Sequence, residues 1–200
     1  SHPDLDGRIV EFQDFIHGRK GKTGSYYDDN GHGTCTCGII AGNGGASNKI
    51  YTGVAPEANI HCFKAFDKLG KGYVSDILFS LEELINISEK YNIKVICLPF
   101  ETLYYNKFIF TQFDILFKKA RLHSIVCVLP SGSNKNIDGS ITGIALSTNC
   151  ITVSGIWLFG QLFRSISCCL HDQYVQPLFW RSRNMELQHP QRTFFRNADG

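Results

Sequence analysis

No apolar run in the 200 residues approaches the roughly 18 that a membrane-spanning helix needs, so no membrane span is expected. An excess of one charge sign is also missing. Lys and Arg number 20 against 18 Asp and Glu, a net charge of +2, which gives neither nucleic acid nor an anionic membrane surface a reason to bind. The N-terminus, Ser1-His2-Pro3-Asp4, has no initiator Met, no basic region and no apolar stretch, so no signal peptide is visible. The Gly-x-Gly-x-x-Gly turn of dinucleotide-binding modules is absent. The Gly42-Asn43-Gly44-Gly45 stretch follows a helix pattern where such a module would need a strand. What is present suffices for a core: 43% of residues are hydrophobic and 19% charged, which excludes a disordered chain.

The eight cysteines are irregularly spaced in a long chain, which argues against a disulfide framework. Several lie inside apolar runs, such as Val95-Ile96-Cys97-Leu98 and Val126-Cys127-Val128, and read as small buried hydrophobes of a reducing compartment. A soft metal would find thiols at Cys35-Thr36-Cys37 and at Cys168-Cys169. No second Cys/His pair matches either of them, so no metal site is expected.

Composition changes near residue 160. Residues 1–160 hold 12 Lys and three Arg; residues 161–200 hold no Lys and five Arg. Helical and strand periodicity fade there as well. The chain therefore reads as a domain over 1–160 followed by an irregular tail over 161–200, such as a shifted reading frame would produce. Phe163, Phe179, Trp180, Phe194 and Phe195 are expected to pack poorly, and the strand before the tail is expected to lack a neighbour. Within the domain, strands are expected at 59–66, 93–98, 124–129 and 150–154. Helices are expected at 33–42, at 76–91 with Ser75 as N-cap and Asn92 as stop, and at 110–121. Strands alternating with helices predict an α/β fold: three layers, α/β/α, around a mainly parallel sheet. Near-continuous apolar strands predict burial on both faces.

One segment carries chemistry. Asp28-Asp29-Asn30-Gly31-His32-Gly33-Thr34 delivers a His flanked by glycines onto a small-residue helix ending at Ala41-Gly42. On these residues alone two readings stand: His32 is a general base near neutral pH, or it is a His satisfied by turn backbone.

Together with their order, further segments resemble the subtilisin-like serine proteases (peptidase S8, the subtilases) over about residues 1–158. His2-Pro3-Asp4-Leu5 is similar to the segment that follows the family's catalytic Asp, and Asp29 to Thr34 to its catalytic-His motif. Gly53-Val54-Ala55-Pro56 is similar to a turn before a core strand, Val95 to Leu98 to the strand leading to the substrate edge, and Ile151 to Ser154 to a later core strand. The resemblance implies an endopeptidase acting on protein or peptide substrates. Its triad comes in chain order Asp, His, Ser: Ser attacks, His moves the proton and Asp orients the imidazole. His32 would be the catalytic His. Calcium is common in the family, but no ligand cluster demonstrates a site, and no other cofactor is implied; Asp28 and Asp29 read as turn residues. Many relatives are secreted, whereas the cysteines point to a reducing interior, so no compartment is fixed.

The chain also departs from the pattern. The family's Asp would precede Ser1, and no Gly-Thr-Ser string occurs, so the chain reads as a fragment lacking two triad members and inactive as given. Ser133 stands where the family's oxyanion Asn would be, with Asn134 one residue later. The substrate edge reads Pro99-Phe100-Glu101. Pro99 removes a backbone donor that a bound peptide strand would use. A non-catalytic, binding or regulatory subtilisin-like protein is the alternative.

Overall fold

The computed structural model describes residues 2–17, 19–21, 26–102, 105–132, 141, 143–158 and 161–167, with the backbone alone for 19–21, 155–158 and 161–167. The chain divides after Ser80 into two compact units.

The first unit is built on β1 (Ile9–Asp14), β2 (Arg19–Gly21) and β3 (Ile60–Lys64), in the order β2-β1-β3. β1 pairs antiparallel with β2 and parallel with β3, in a register that sets Phe12 beside Cys62. The intervening helix α1 (His32–Ala41) packs on β3. It begins one residue before the expected position. Leu5, Ile9, Phe12 and Cys37 form the buried cluster of this unit, with Tyr26, Tyr27, Ile60 and Cys62 packed against it.

The C-terminal end of α1 shows how closely the backbone is fitted. The last carbonyls of a helix need partners outside it. Ile39 and Ile40 carbonyls accept the N–H groups of Val54 and Ala55 at 3.0 and 2.8 Å. A Cβ on Gly53 would come within 2.6 Å of the Gly42 nitrogen, so only glycine fits this crossing.

The second unit begins at Leu81. Helix α2 (Val74–Asn86) runs across the division and is followed by the single turn α3 (Ser88–Tyr91). The expected helix over 76–91 is thus two pieces. Ser75 is not its N-cap: Asp76 and Ile77 both donate backbone N–H to the Tyr73 carbonyl, so the helix starts earlier. Ile77, Ser80, Leu81 and Ile85 form the buried stripe of α2, and Ser88 is buried in α3. Asn92, at φ 53°, ends α3 as expected, its N–H turned back to Glu89 and Ser88 carbonyls.

Strands β4 (Val95–Cys97), β5 (Val126–Pro130), β6 (Ile151–Leu158) and β7 (Gln161–Ser167) make a sheet in that order. β4, β5 and β6 are parallel. Helix α4 (Lys107–Leu122) crosses from β4 to β5 and packs on β5. Its N-cap is Asn106, whose side-chain oxygen accepts from the N–H groups of Phe108 and Ile109. Two parallel-paired sheets flanked by helices give the mixed α/β architecture read from the sequence.

Two expectations fail here. First, the strands of the second sheet are not buried on both faces. Ile96 and Cys127 are 3% and 0% exposed, whereas Val95 and Val126 are 58% and 41% exposed. Apolar content hid an alternation that α4, covering one side, imposes. Second, β6 does not lack a neighbour. β7 pairs with it antiparallel from Thr152↔Ser167 to Leu158↔Gln161. Only two residues separate the strands, so closing this pairing costs little chain entropy and needs no strong apolar pattern. The aromatic side chains of the tail, from Phe163 to Phe195, lie outside the described residues. No helix among the described residues is long and apolar enough to cross a membrane.

Candidate active site

His32 is the first residue of α1, half-buried, where the sequence places it. The turn before it is held at the C-terminal ends of both parallel strands of the first unit. From β1, the Asp14 carboxylate accepts the Tyr27 hydroxyl at 2.5 Å, and the Tyr27 ring packs edge-on against Phe12. From β3, Lys64 donates to the Asp29 carboxylate at 2.7 Å. Just beyond β3, the Lys68 carbonyl accepts the Asn30 side-chain amide at 3.0 Å. Ligand sites of open α/β sheets gather at this edge.

Asp28 organises the turn itself. Gly31, the residue before the helix, has φ 94° and so reverses the chain in a way glycine permits. It has no side chain to cap the helix. Asp28 does so from three residues further back, accepting the Thr34 N–H at 2.8 Å and the Thr34 hydroxyl at 2.7 Å. It also accepts the Asn30 and Gly31 N–H groups. A negative group here complements the positive end of the helix. Partial desolvation pushes the Asp28 carboxyl up, but the donors from Gly31, Thr34 and Asn30 outweigh it and hold the group at about 2.

The sign follows. A carboxyl at about 2 in the folded chain and at its usual 3.8 in the unfolded chain stabilises the fold above pH 3.8, and that contribution is lost as pH falls through about 2. Asp28→Ala is expected to cost about 1–2 kcal/mol near neutral pH. Urea midpoints of the wild-type and variant chains should converge on acidification from pH 5 towards pH 2. A gap that stayed constant would place the stabilisation elsewhere.

The sequence did not single out the polar cluster beneath this turn. Asp14 is buried and bonded to Tyr27, to His17 Nδ1 at 3.0 Å and to the Ile16 and His17 N–H groups. Burial pushes its carboxyl up, and these donors more than offset it, leaving the group below its usual range. No spacing rule joins residues 14 and 64; the parallel pairing of β1 with β3 sets them side by side.

The remaining candidates stand apart. Ser133 and Asn134 lie outside the described residues. The chain enters them through Ser131, whose N–H bonds the Val153 carbonyl at 2.8 Å, and Gly132, at φ 105°. Cys35 is exposed and Cys37 buried, on opposite sides of α1, so they form no joint thiol site. For calcium, Asp28 and Asp29 are already occupied by N–H, O–H and ammonium donors. Among the described residues no group of three or more His, Cys, Asp or Glu side chains could hold a metal ion.

The family model described as the subtilase family (Peptidase_S8) matches residues 1–162. The chain belongs to the subtilase family. Serine protease AprX of Bacillus subtilis (strain 168) is 42% identical over 88 residues, covering 44% of this chain and 19% of AprX. Subtilisin-like protease 2 of Trichophyton rubrum is 33% identical over 159 residues, 78% of this chain and 33% of that protein. Among solved structures, S41 Psychrophilic Protease superposes with a TM-score of 0.65 at 26% identity, over 84% of this chain and 53% of that one. The chain thus spans about half or less of the length of these subtilases. Family-level chemistry is peptide-bond hydrolysis by an Asp-His-Ser triad.

Proposed function

We propose that His32 is the general base of a subtilase endopeptidase acting on peptide bonds. The observation that carries this reading is its placement: first residue of a helix, on a turn tied by Asp14, Lys64 and Asp28 to the C-terminal edge of a parallel strand pair. Such a His would take the proton from an attacking Ser and return it to the leaving amine. Thr34 and Asp28 fix the first turn and so the base's position. Ser133, with Asn134 beside it, would face the developing oxyanion as a hydroxyl where the family has an amide.

Residues 1–200 contain no Gly-Thr-Ser string, and on the resemblance the family's Asp would not be among them either. These residues by themselves are therefore expected to be unreactive. A fluorophosphonate probe and a casein assay on the 200-residue chain should both read zero above buffer. A labelled Ser anywhere in it would show that the nucleophile had been missed.

One observation favours a second, non-catalytic reading. The Phe100 N–H bonds the Leu98 carbonyl at 2.8 Å, a tight turn centred on Pro99. Directly after β4, where a peptide would add as a further strand, Pro99 has no N–H to give and Phe100 has spent its own. The readings separate on the longest product containing these residues: peptide hydrolysis supports the enzyme, and binding of a peptide without hydrolysis supports the alternative.

A further inference from the structure

Helix α4 carries large apolar residues on two opposite sides. Phe113, Phe117 and Ala120 are buried in the core of the second unit. Phe108, Ile115 and Leu122 are 72%, 55% and 76% exposed. These three recur every seven residues, a spacing that drifts by only about 20° per step on a straight α-helix. They therefore form one nearly straight row, roughly 21 Å long, on the side of α4 turned away from the core. Single exposed apolar residues are ordinary on a protein surface, whereas an aligned row marks a surface that something covers.

The row is bracketed by cations. Lys118 follows Ile115 by three residues and precedes Leu122 by four; Lys119 follows by four and precedes by three, so one lies on each side of the row. Lys107 and Arg121 add two more charges near its ends. Lys107, Lys118 and Arg121 are exposed, while Lys119 donates to the Asn86 side chain at 3.0 Å and lies 3.6 Å from Glu82. The one carboxylate of the helix, Asp114, is taken by the Ser147 hydroxyl at 2.5 Å and the Asn149 amide at 3.0 Å. From the neighbouring helices, Glu82 faces Lys119 and Glu89 lies 3.8 Å from His123. The chain-wide charge of +2 averages over this local excess of four cations against one carboxylate.

Charge and shape together select the occupant. A second copy of α4 would bring Lys and Arg against Lys and Arg. A partner helix packed as a coiled coil needs a second apolar row at the d positions. With Phe108, Ile115 and Leu122 at a, those positions hold Thr111 and Lys118. A lipid surface needs neither a second row nor a register. A straight row meets a plane along its whole length, its apolar side chains entering the acyl boundary while the cations stay among the headgroups. We propose that α4 is an interfacial helix that docks this protein on membrane surfaces rich in anionic lipid. Phe108, Ile115 and Leu122 insert, and Lys107, Lys118 and Arg121 meet the headgroups. The helix lies in the plane of the surface and spans nothing. This goes beyond the peptidase reading and stands whether or not His32 is catalytic.

The test is co-sedimentation of the folded 200-residue chain with vesicles of mixed phosphatidylserine and phosphatidylcholine, and with vesicles of phosphatidylcholine alone. Partitioning onto the mixed vesicles is expected to be stronger by about a hundredfold, roughly fivefold for each of the three exposed cations. Raising the salt from about 0.1 M to about 1 M should remove most of that preference. Phe108→Gln, Ile115→Gln and Leu122→Gln together should weaken partitioning on the order of a hundredfold. All three sites are exposed and Gln is a good helix former, so circular dichroism should show the fold intact. Lys118→Glu should weaken binding to the mixed vesicles alone. The proposal is overturned if the chain ignores both kinds of vesicle, if it binds both equally, or if either variant binds the mixed vesicles like the wild type. An acidic peptide with Leu at every seventh position that binds the chain while the vesicles do not would also overturn it, in favour of a helical protein partner.

Discussion

His32→Ala is expected to lower peptide hydrolysis by about six orders of magnitude in a chain that holds a complete triad, a size taken from subtilisin itself. The assay is a chimaera in which residues 26–44 replace the matching stretch of AprX. That segment carries Asp28, Asn30, Gly31 and Thr34, which fix the turn, and His32, which the turn presents. With His32 present the chimaera should hydrolyse a chromogenic peptide. Without it, only the residual rate from the oxyanion site and binding should remain. Asp28→Ala in the same chimaera should do less, because it disturbs the base's position and leaves the base in place. Thermal unfolding shows whether each variant still folds. If His32→Ala kept its rate within a factor of ten, His32 would be a turn residue and nothing more.

Phe117→Ala should remove about 3–5 kcal/mol from the stability of the second unit. Phe113 and Phe117 are both 0% exposed, one helical turn apart on α4, with ring centroids 5.9 Å apart. Truncating either removes an aromatic contact and leaves a cavity that the helix backbone prevents from closing. Typical domains have only about 5–15 kcal/mol in total, so the variant should lose a large fraction of its stability and unfold at a much lower urea concentration. Phe108, on the same helix but 72% exposed, is the control; Phe108→Ala should lie within about 0.5 kcal/mol of wild type. Urea unfolding followed by circular dichroism distinguishes them. Equal midpoints for the two variants would mean that α4 does not bury the face assigned here.

Much of the fold was legible because its signals are local. Phe113, Phe117 and Ala120 recur at helical spacing, and α4 buries those three. Asn92 stops a helix because a short polar side chain tolerates positive φ, and it does so here. Strand β1 was missed. Its Ile9-Val10-Glu11-Phe12-Gln13-Asp14 run mixes polar residues into a segment whose Gln13 and Asp14 are nonetheless buried. Burial of those groups is made possible by hydrogen-bond partners that the sequence does not display. The site divides the same way. Gly31-His32-Gly33-Thr34 is a contiguous string and was readable. Lys64 reaching Asp29, and Asp14 lying beside Lys64, depend on which strand pairs with which, and no residue pattern encodes that register.

The two kinds of strand pairing also set an order of assembly. Each unit has one pair joined by a short connection, β1 with β2 and β6 with β7, and both are antiparallel. The parallel pairs, β1 with β3, β4 with β5 and β5 with β6, each wait on the ordering of a long crossover segment. Hairpins close in roughly 1–10 μs, while pairings between distant residues fold more slowly as their sequence separation grows. Folding of this chain is therefore paced by its crossovers, and the turn that carries His32 lies inside the longest of them. The segment that presents the imidazole takes its final shape only when β3 docks on β1, among the last events on the way to the native state.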